Sequence, residues 1–318
     1  MEWQLEFLKL LMSDGVEDHS VALALKRKNI PTKLYRYRPM SSASYIIDEI
    51  CTGEIYLARP DELNDPFDSC SLLKSEQPSH YFTNQDIFRD NLHAHFSDEF
   101  LSQVFQSEDW YNELMRLVAK ESTSPENQPL VVQALVHAVM EQFLDLNKAF
   151  NNMVHKTSRL ACFTTKPDNL PMWNHYAQNH CGVCFEYDIN NIDNIYIINR
   201  LFPVYYVEAL PDFVERSFGK RKPEFSIMDY FLIHKLDDWA YENEWRLLYN
   251  AGSWYFNPDE VPEEFWKHGK KIKFIRPTRV LLGTNISEPY EKLVRNTCAQ
   301  YHISAVKMKC TEYGLREE

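Results

Sequence analysis

Glu242 and Glu244 stand two residues apart in Trp239–Tyr249 (WAYENEWRLLY), where the closing Leu-Leu-Tyr is strand-like. If a strand begins at or before Glu242, the two carboxylates share a face about 7 Å apart, because strand side chains repeat every second residue. Such a pair can divide labour. One carboxylate holds a sugar hydroxyl or steadies positive charge developing at an anomeric carbon, while the other activates the nucleophile. A glycoside hydrolase would also use two carboxylates, usually from separated segments. The same spacing equally suits a charged junction in which Glu244 pairs with Arg246 or Lys235.

Arg36 and Arg38 lie in Leu34–Arg38 (LYRYR), whose aromatic alternation predicts a strand ending at Pro39. Both arginines then point to one face, with Tyr35 and Tyr37 on the other. Their planar forks of donors suit a phosphate or carboxylate, and a salt-bridged strand face explains them as well. The stretch ACFTTKPDNLPMWNHYAQNHCGVCFEYD gathers Thr164, Thr165, Trp173, His175 and Tyr176. Hydroxyls ending a strand can bind ribose or phosphate oxygens, and Trp173 or Tyr176 could stack on a planar ring. Core packing and helix capping account for each residue singly.

His175, His180, Cys181 and Cys184 raise the question of a metal, but H-x4-H-C-x2-C is not a zinc spacing. Cys184 falls in a predicted strand, where cysteine serves as a small buried apolar residue, so no metal is expected. Asn64, Asp65 and Asp68 surround Pro66 and read as a turn, or else as a cation site. A metal-dependent nuclease or hydrolase built on Asp65, Asp68, Glu242 and Glu244 is therefore one alternative. The chain has no P-loop, no G-x-G-x-x-G and only 8 glycines, so phosphate would have to be held by side chains.

These residues need a scaffold. Helical spacing of Trp3, Phe7, Leu10 and Leu11 predicts an N-terminal helix, followed by a second over Val21–Lys28. A helix over Ala43–Cys51 ending at Gly53 leads into a strand over Glu54–Ala58. Further strands are expected over Leu160–Thr164, Gly182–Tyr187, Val204–Val207, Glu244–Tyr249, Ile272–Ile275 and Val280–Gly283, with Ile303–Lys309 closing an edge. Between 84 and 158 the period changes to 3.6, and Leu135, Val139, Phe143, Leu146, Phe150 and Met153 trace one helical face. Strands, helices, then strands indicate an α+β fold. The expected organisation is a single domain over 1–318, with a core of 33–83 and 159–318 and a helical insertion or lid at 84–158.

The 318 residues include 34 basic and 46 acidic side chains, a net charge of −12 that disfavours an extensive nucleic-acid surface. Seven cysteines without framework spacing point to reduced thiols and a cytoplasmic setting. The N-terminal MEWQLEFLKLLMSDG does not read as a signal peptide, and no apolar run reaches the roughly 20 residues of a membrane span.

Taken in order, LYRYRP, EIYLARPDELNDPFD, the Ala161–Asp188 stretch and KLDDWAYENEWRLL resemble a bacterial family known as domain of unknown function 2971. The arrangement also looks like the ADP-ribosyltransferase superfamily, whose split antiparallel sheet binds NAD in a cleft. That resemblance implies an early strand presenting Arg36, with Arg38 beside it, a middle strand presenting Thr164 or Thr165 with Tyr176, and a late strand presenting Glu244 with Glu242. It also implies Trp173 and His175 near the ligand, and NAD as substrate. The enzyme would transfer ADP-ribose to a macromolecule or, as an NAD glycohydrolase, to water, in a toxin or phage-defence setting. Two features depart from the pattern: the middle motif reads C-F-T-T, and Trp245-Arg246 follows the glutamates. The rival from another class is a non-catalytic ligand- or partner-binding protein in which the same residues are structural.

Overall fold

The computed structural model describes residues 2–13, 15–82, 88, 92–217, 227–250, 268–312 and 314–318. The chain divides into two compact units: residues 1–69, 154–209 and 223–318 form one, and 70–153 with 210–222 form the other. The helical unit thus starts earlier than the expected 84 and takes in a second stretch at 210–222.

In the first unit the alternating LYRYR segment forms β1 (Lys33–Arg38), and EIYL forms β2 (Glu54–Leu57). Then follow β3 (Ser158–Thr164), β4 (Val183–Asp188), β5 (Leu201–Pro203), β6 (Tyr205–Val207), β7 (His234–Leu236) and β8 (Glu244–Asn250). The last four are β9 (Lys270–Lys273), β10 (Arg279–Leu282), β11 (Ser304–Thr311) and β12 (Gly314–Glu317). Eight of them build one sheet in the order β12-β11-β10-β4-β1-β3-β8-β5. Every neighbouring pair in it is antiparallel except β10 with β11, which the helix Glu288–Gln300 separates in sequence. This is the mixed α+β architecture expected from the sequence.

Three strand expectations need correction. The Ile303–Lys309 strand is not the edge, because β12 pairs along its outer side. The strand expected at Ile272–Ile275 lies at Lys270–Lys273 and pairs with β2 in a separate ribbon rather than joining the sheet. The strand expected over Val204–Val207 is β6, Tyr205–Val207, but it pairs in parallel with β7 in a separate ribbon outside the sheet, after Pro203 ends β5.

Alternation along β1 sorts its side chains as expected. Leu34 belongs to the larger core with Ile46, Phe163, Phe185, Trp245 and Val280, and Tyr37 to a smaller core with Trp173, Cys184 and Leu281 on the opposite face. Chain approach is tight where β4 begins: a Cβ on Gly182 would stand 2.1 Å from the Arg38 carbonyl oxygen, so only glycine fits. Gln178, Asn179 and His180 just before it all take left-handed backbone conformations.

One feature of the sheet prepares the site. β1 pairs with β4 along all of Lys33–Arg38, and β3 pairs with β8 from Ser158 to Thr164, but β1 meets β3 at the single pair Tyr35 and Thr164. The sheet therefore has a seam between β1 and β3.

In the second unit, the helices Asp98–Val104 and Trp110–Ser122 and most of Gln128–Thr157 supply the apolar faces. Val104, Trp110, Tyr111, Leu114 and Leu117 form one cluster, and Tyr81, Phe143 and Val214 another. The buried positions of the long helix include Phe143, Asn147, Phe150 and Val154, a strict four-three-four spacing. Leu146 and Met153, expected on that face, are displaced from it by one residue and are exposed. Asn147 takes the buried place because its side chain donates to the Ser71 carbonyl at 3.0 Å.

Candidate functional site

A cleft of about 370 Å³ opens at the seam. β1 contributes Tyr35 to Arg38, β3 contributes Leu160 and Cys162 to Thr164, and Lys235, Glu242 and Glu244 close one end. Tyr56, Asn64, Asp68, Met172 and Tyr176 complete much of the wall. That volume lies at the small end of ligand pockets.

The register places Tyr35, Thr164 and Glu244 in one cross-strand row, so they share a sheet face. Arg36 and Arg38 alternate to the other face, with Leu34. Both sets nevertheless line the cleft, because the sheet is open between β1 and β3.

At the arginine end, Arg36 is buried and donates through Nη2 to the Tyr56 carbonyl at 2.7 Å. Its Nη1 stands 3.6 Å from Glu49 Oε1, and Arg38 Nη2 stands 3.4 Å from Glu49 Oε2. Two guanidinium groups thus share one buried carboxylate, which also accepts from the Tyr187 hydroxyl. Arg36 Nη1 and Arg38 Nε are buried without a hydrogen-bond partner among the described residues. Burial, followed by the neighbouring Arg38, pulls Arg36 down to about 10, still charged at neutral pH. An anionic oxygen would satisfy donors that the protein leaves unmatched.

The other end is a buried ion cluster. Arg246 Nη1 and Nη2 each donate to Asp68 at 2.8 and 2.7 Å, and Nε and Nη2 reach both Glu244 oxygens at 2.8 and 3.0 Å. Lys235 Nζ lies 2.6 Å from Glu242 Oε2, 3.4 Å from Glu244 Oε2 and 3.4 Å from Asp68 Oδ2. Glu242 Oε1 accepts from the Tyr176 hydroxyl, and Thr164 Oγ1 donates to the Glu242 carbonyl. The cluster holds the carboxylates Asp68, Glu242 and Glu244 against the cations Lys235 and Arg246, an excess of one negative charge.

Strand alternation does not bring the two glutamates together. β8 starts at Glu244, and Glu242 ends a 3-10 turn spanning Asp237–Glu242. Asn243 between them is left-handed (φ 47°), a conformation asparagine tolerates, and this bend turns both carboxylates onto Lys235.

Their environments set them apart. Burial alone would raise Glu244, yet Arg246 and Lys235 outweigh it and hold the carboxyl at about 2. Burial, reinforced by Glu244, raises Glu242 above the ordinary carboxylate range, with Lys235 and Tyr176 only partly opposing. The paired reading of Glu244 is thus the observed geometry, and Glu242 is the carboxylate with a working group's environment.

This difference has a measurable consequence for stability. Glu244 is depressed in the folded state, so its contribution is fully present above pH 4.5 and is lost as pH falls towards 2. Glu242 is raised and acts in the opposite sense, weakening the fold as pH rises through its own value. Urea unfolding of the Glu244→Gln variant should therefore show a shallower loss of stability between pH 5 and 2 than the parent chain. An equal slope would mean that Glu244 is not held ionised.

Of the residues singled out from the sequence, Arg36, Arg38, Thr164, Tyr176, Glu242 and Glu244 line the cleft, whereas Thr165, Trp173 and His175 do not. Trp173 is fully buried, donates from Nε1 to the Pro167 carbonyl and packs edge-on against Tyr37, so it belongs to the core and not to a stacking platform. His175 is exposed outside the cleft. Cys184 is buried in β4, and no group of three or more His, Cys, Asp or Glu among the described residues could hold a metal ion. Asp65 forms the expected turn, its Oδ1 accepting from the Phe67 N–H at 2.9 Å. Asp68 is committed to Arg246 and Lys235.

Two important residues were not selected from the sequence. Glu49 had a legible signal: it falls between Ile46 and Ile50 on the buried face of the helix Ala43–Thr52, where an acid needs a partner. Lys235 appeared only as a partner for Glu244, with nothing to show that it faces a cavity.

Residues 172–247 match the model of a family described as Protein of unknown function (DUF2971). This stretch belongs to that family. No curated protein and no solved structure matches the chain. The DUF2971 segment contains Tyr176, Lys235, Glu242, Glu244 and Arg246, and so supplies most of the carboxylate end of the cleft. Arg36, Arg38 and Thr164 lie outside it. No helix among the described residues is long and apolar enough to cross a membrane.

Proposed function

We propose that the seam cleft binds NAD and that the chain is an ADP-ribosyltransferase-like enzyme breaking the nicotinamide–ribose bond. The observation that carries this reading is the polarity of the cleft. One end offers two arginines against a single carboxylate, Glu49, and the other offers a one-charge excess of carboxylate over cation. NAD has matching polarity, an anionic pyrophosphate and a cationic pyridinium. The adjacency of the arginine, hydroxyl and glutamate strands, in the order β1-β3-β8, supports a split-sheet fold of the ADP-ribosyltransferase kind.

In this reading Arg36 and Arg38 hold the pyrophosphate, and Tyr176, in place of the buried Trp173, offers an aromatic face. When the C–N bond breaks, its electron pair leaves with nicotinamide and the ribose becomes oxocarbenium-like. The carboxylate excess around Glu242 stabilises that positive charge in a site shielded from water. A nucleophilic atom of water or a macromolecular acceptor then bonds to the anomeric carbon and gives up its proton. Because the ionised form of Glu242 is the stabilising one, the rate should fall as pH drops through a value above the ordinary glutamate range.

The test uses the purified 318-residue chain. NAD should yield free nicotinamide, and ADP-ribose should raise the melting temperature, since a ligand that binds only the folded state stabilises it. Absence of both nicotinamide release and a thermal shift with NAD or ADP-ribose would refute the reading.

A further inference from the structure

Arg246 already engages both oxygens of Asp68 and both of Glu244 at 2.7–3.0 Å. Lys235 stands farther from those two carboxylates, at 3.4 Å from each, and makes its close contact, 2.6 Å, with Glu242. Its Nζ is also 4.8 Å from the Trp239 ring centre, and the residue is buried at the cleft's end. The side chain is thus confined between an aromatic face and three carboxylates, with its shortest contact on the one that Arg246 does not reach.

We propose that Lys235 is a positioning residue for Glu242: it grips the carboxylate through Oε2, so that Oε1 is left to Tyr176 in the cleft wall. The role in catalysis rests on the NAD reading of the cleft; the grip itself does not. It depends on β7, because the parallel pairing of Tyr206 with Lys235 fixes where the ammonium enters. The Tyr206 hydroxyl in turn accepts from the Glu244 N–H at 2.8 Å, tying the same ribbon to the start of β8. The charged and titratable groups acting on Glu242 are Lys235, Glu244 and Tyr176, with Tyr206 and Tyr241 nearby. Asp68, Arg246 and Cys162 stand behind Glu244.

Lys235→Met, Glu242→Gln and the double variant form the test. Lys235→Met should lower kcat for nicotinamide release on the order of 100-fold, the cost of a misplaced group, with KM for NAD little changed. Its acid limb should move to higher pH, because the cation favouring the ionised carboxylate is gone. In the Glu242→Gln background the same substitution should cost nothing further, as for residues acting as a unit. An equal loss in both backgrounds, or an unmoved acid limb, would overturn the proposal.

Lys235→Arg keeps the charge and covers the case in which the methionine variant does not fold: it should lower kcat with the acid limb in place, and a displaced limb would count against the grip. A carbon-13 NMR titration of the Glu242 side-chain carboxyl without NAD separates the two claims. If the parent chain releases no nicotinamide but this titration moves up in Lys235→Met, or in the Glu242 contact-weakened Lys235→Gln where the first does not fold, the NAD reading fails and the grip stands. An unmoved titration removes the grip whatever the activity.

Discussion

Glu242→Gln is expected to slow nicotinamide release by about 100- to 10,000-fold, the range for losing a charged group that acts in the transition state. The fold should survive. Glutamine keeps the shape, its carbonyl oxygen can still accept from Lys235, and its amide can donate to the Tyr176 hydroxyl, which can turn to accept. The substitution also removes the unbalanced charge, leaving Asp68 and Glu244 against Lys235 and Arg246. Urea unfolding at neutral pH should therefore show a midpoint no lower than the parent's, while nicotinamide release collapses. Release at the parent rate from this variant would remove Glu242 from the chemistry.

The second large effect concerns stability. Arg246→Met should destabilise the chain by about 3–5 kcal/mol, the usual result of removing one partner from a buried ion pair. Methionine fills much of the volume, but it leaves Asp68 and Glu244 buried with only Lys235 to share among three carboxylates. It also strips the hydrogen bond to the Leu232 carbonyl. The sign of the pH response should reverse for Glu244: without Arg246 its folded-state value rises, so acidification towards pH 5 should recover part of the loss. Urea denaturation at pH 7 and pH 5 measures both quantities. A loss under about 1 kcal/mol would mean that the cluster relaxes around the vacancy and that Arg246 does not organise this end of the cleft.

The contrast between these substitutions explains why the site was only partly legible in the sequence. E-x-E can be read as a carboxylate pair on one strand face, and Glu244-x-Arg246 as an ion pair on the same face. The second geometry is the one observed along β8, and Glu242 joins through the left-handed Asn243 rather than through strand alternation. Local spacing cannot reveal that bend, nor that Lys235 arrives from the neighbouring β7. The strands themselves were legible because β1 alternates and β3 and β4 carry apolar runs, Leu160–Phe163 and Val183–Phe185. The long helix was legible as a helix, but its buried face was read one residue off at Leu146 and Met153. Asn147, polar yet buried, obscured the true stripe by satisfying the Ser71 carbonyl.

Trp173 shows the converse error. An aromatic residue within a polar-aromatic stretch resembles a stacking platform, yet its indole N–H is already donated to Pro167 and its ring fills the smaller core. The arginines carry the remaining ambiguity. Arg36 and Arg38 share one face, as two-residue spacing requires, and reach the same cleft as Glu242 only because β1 and β3 meet at one residue pair. Strand pairing of that kind is a tertiary property that no local pattern encodes.

The polarity of the cleft is tested most directly by determining the structure of the Glu242→Gln chain with NAD bound. The pyrophosphate should lie against Arg36 Nη1 and Arg38, with the nicotinamide end beside Tyr176 and residue 242. A nucleotide bound away from the seam, or one whose phosphates sit at the Glu242 end, would contradict the account.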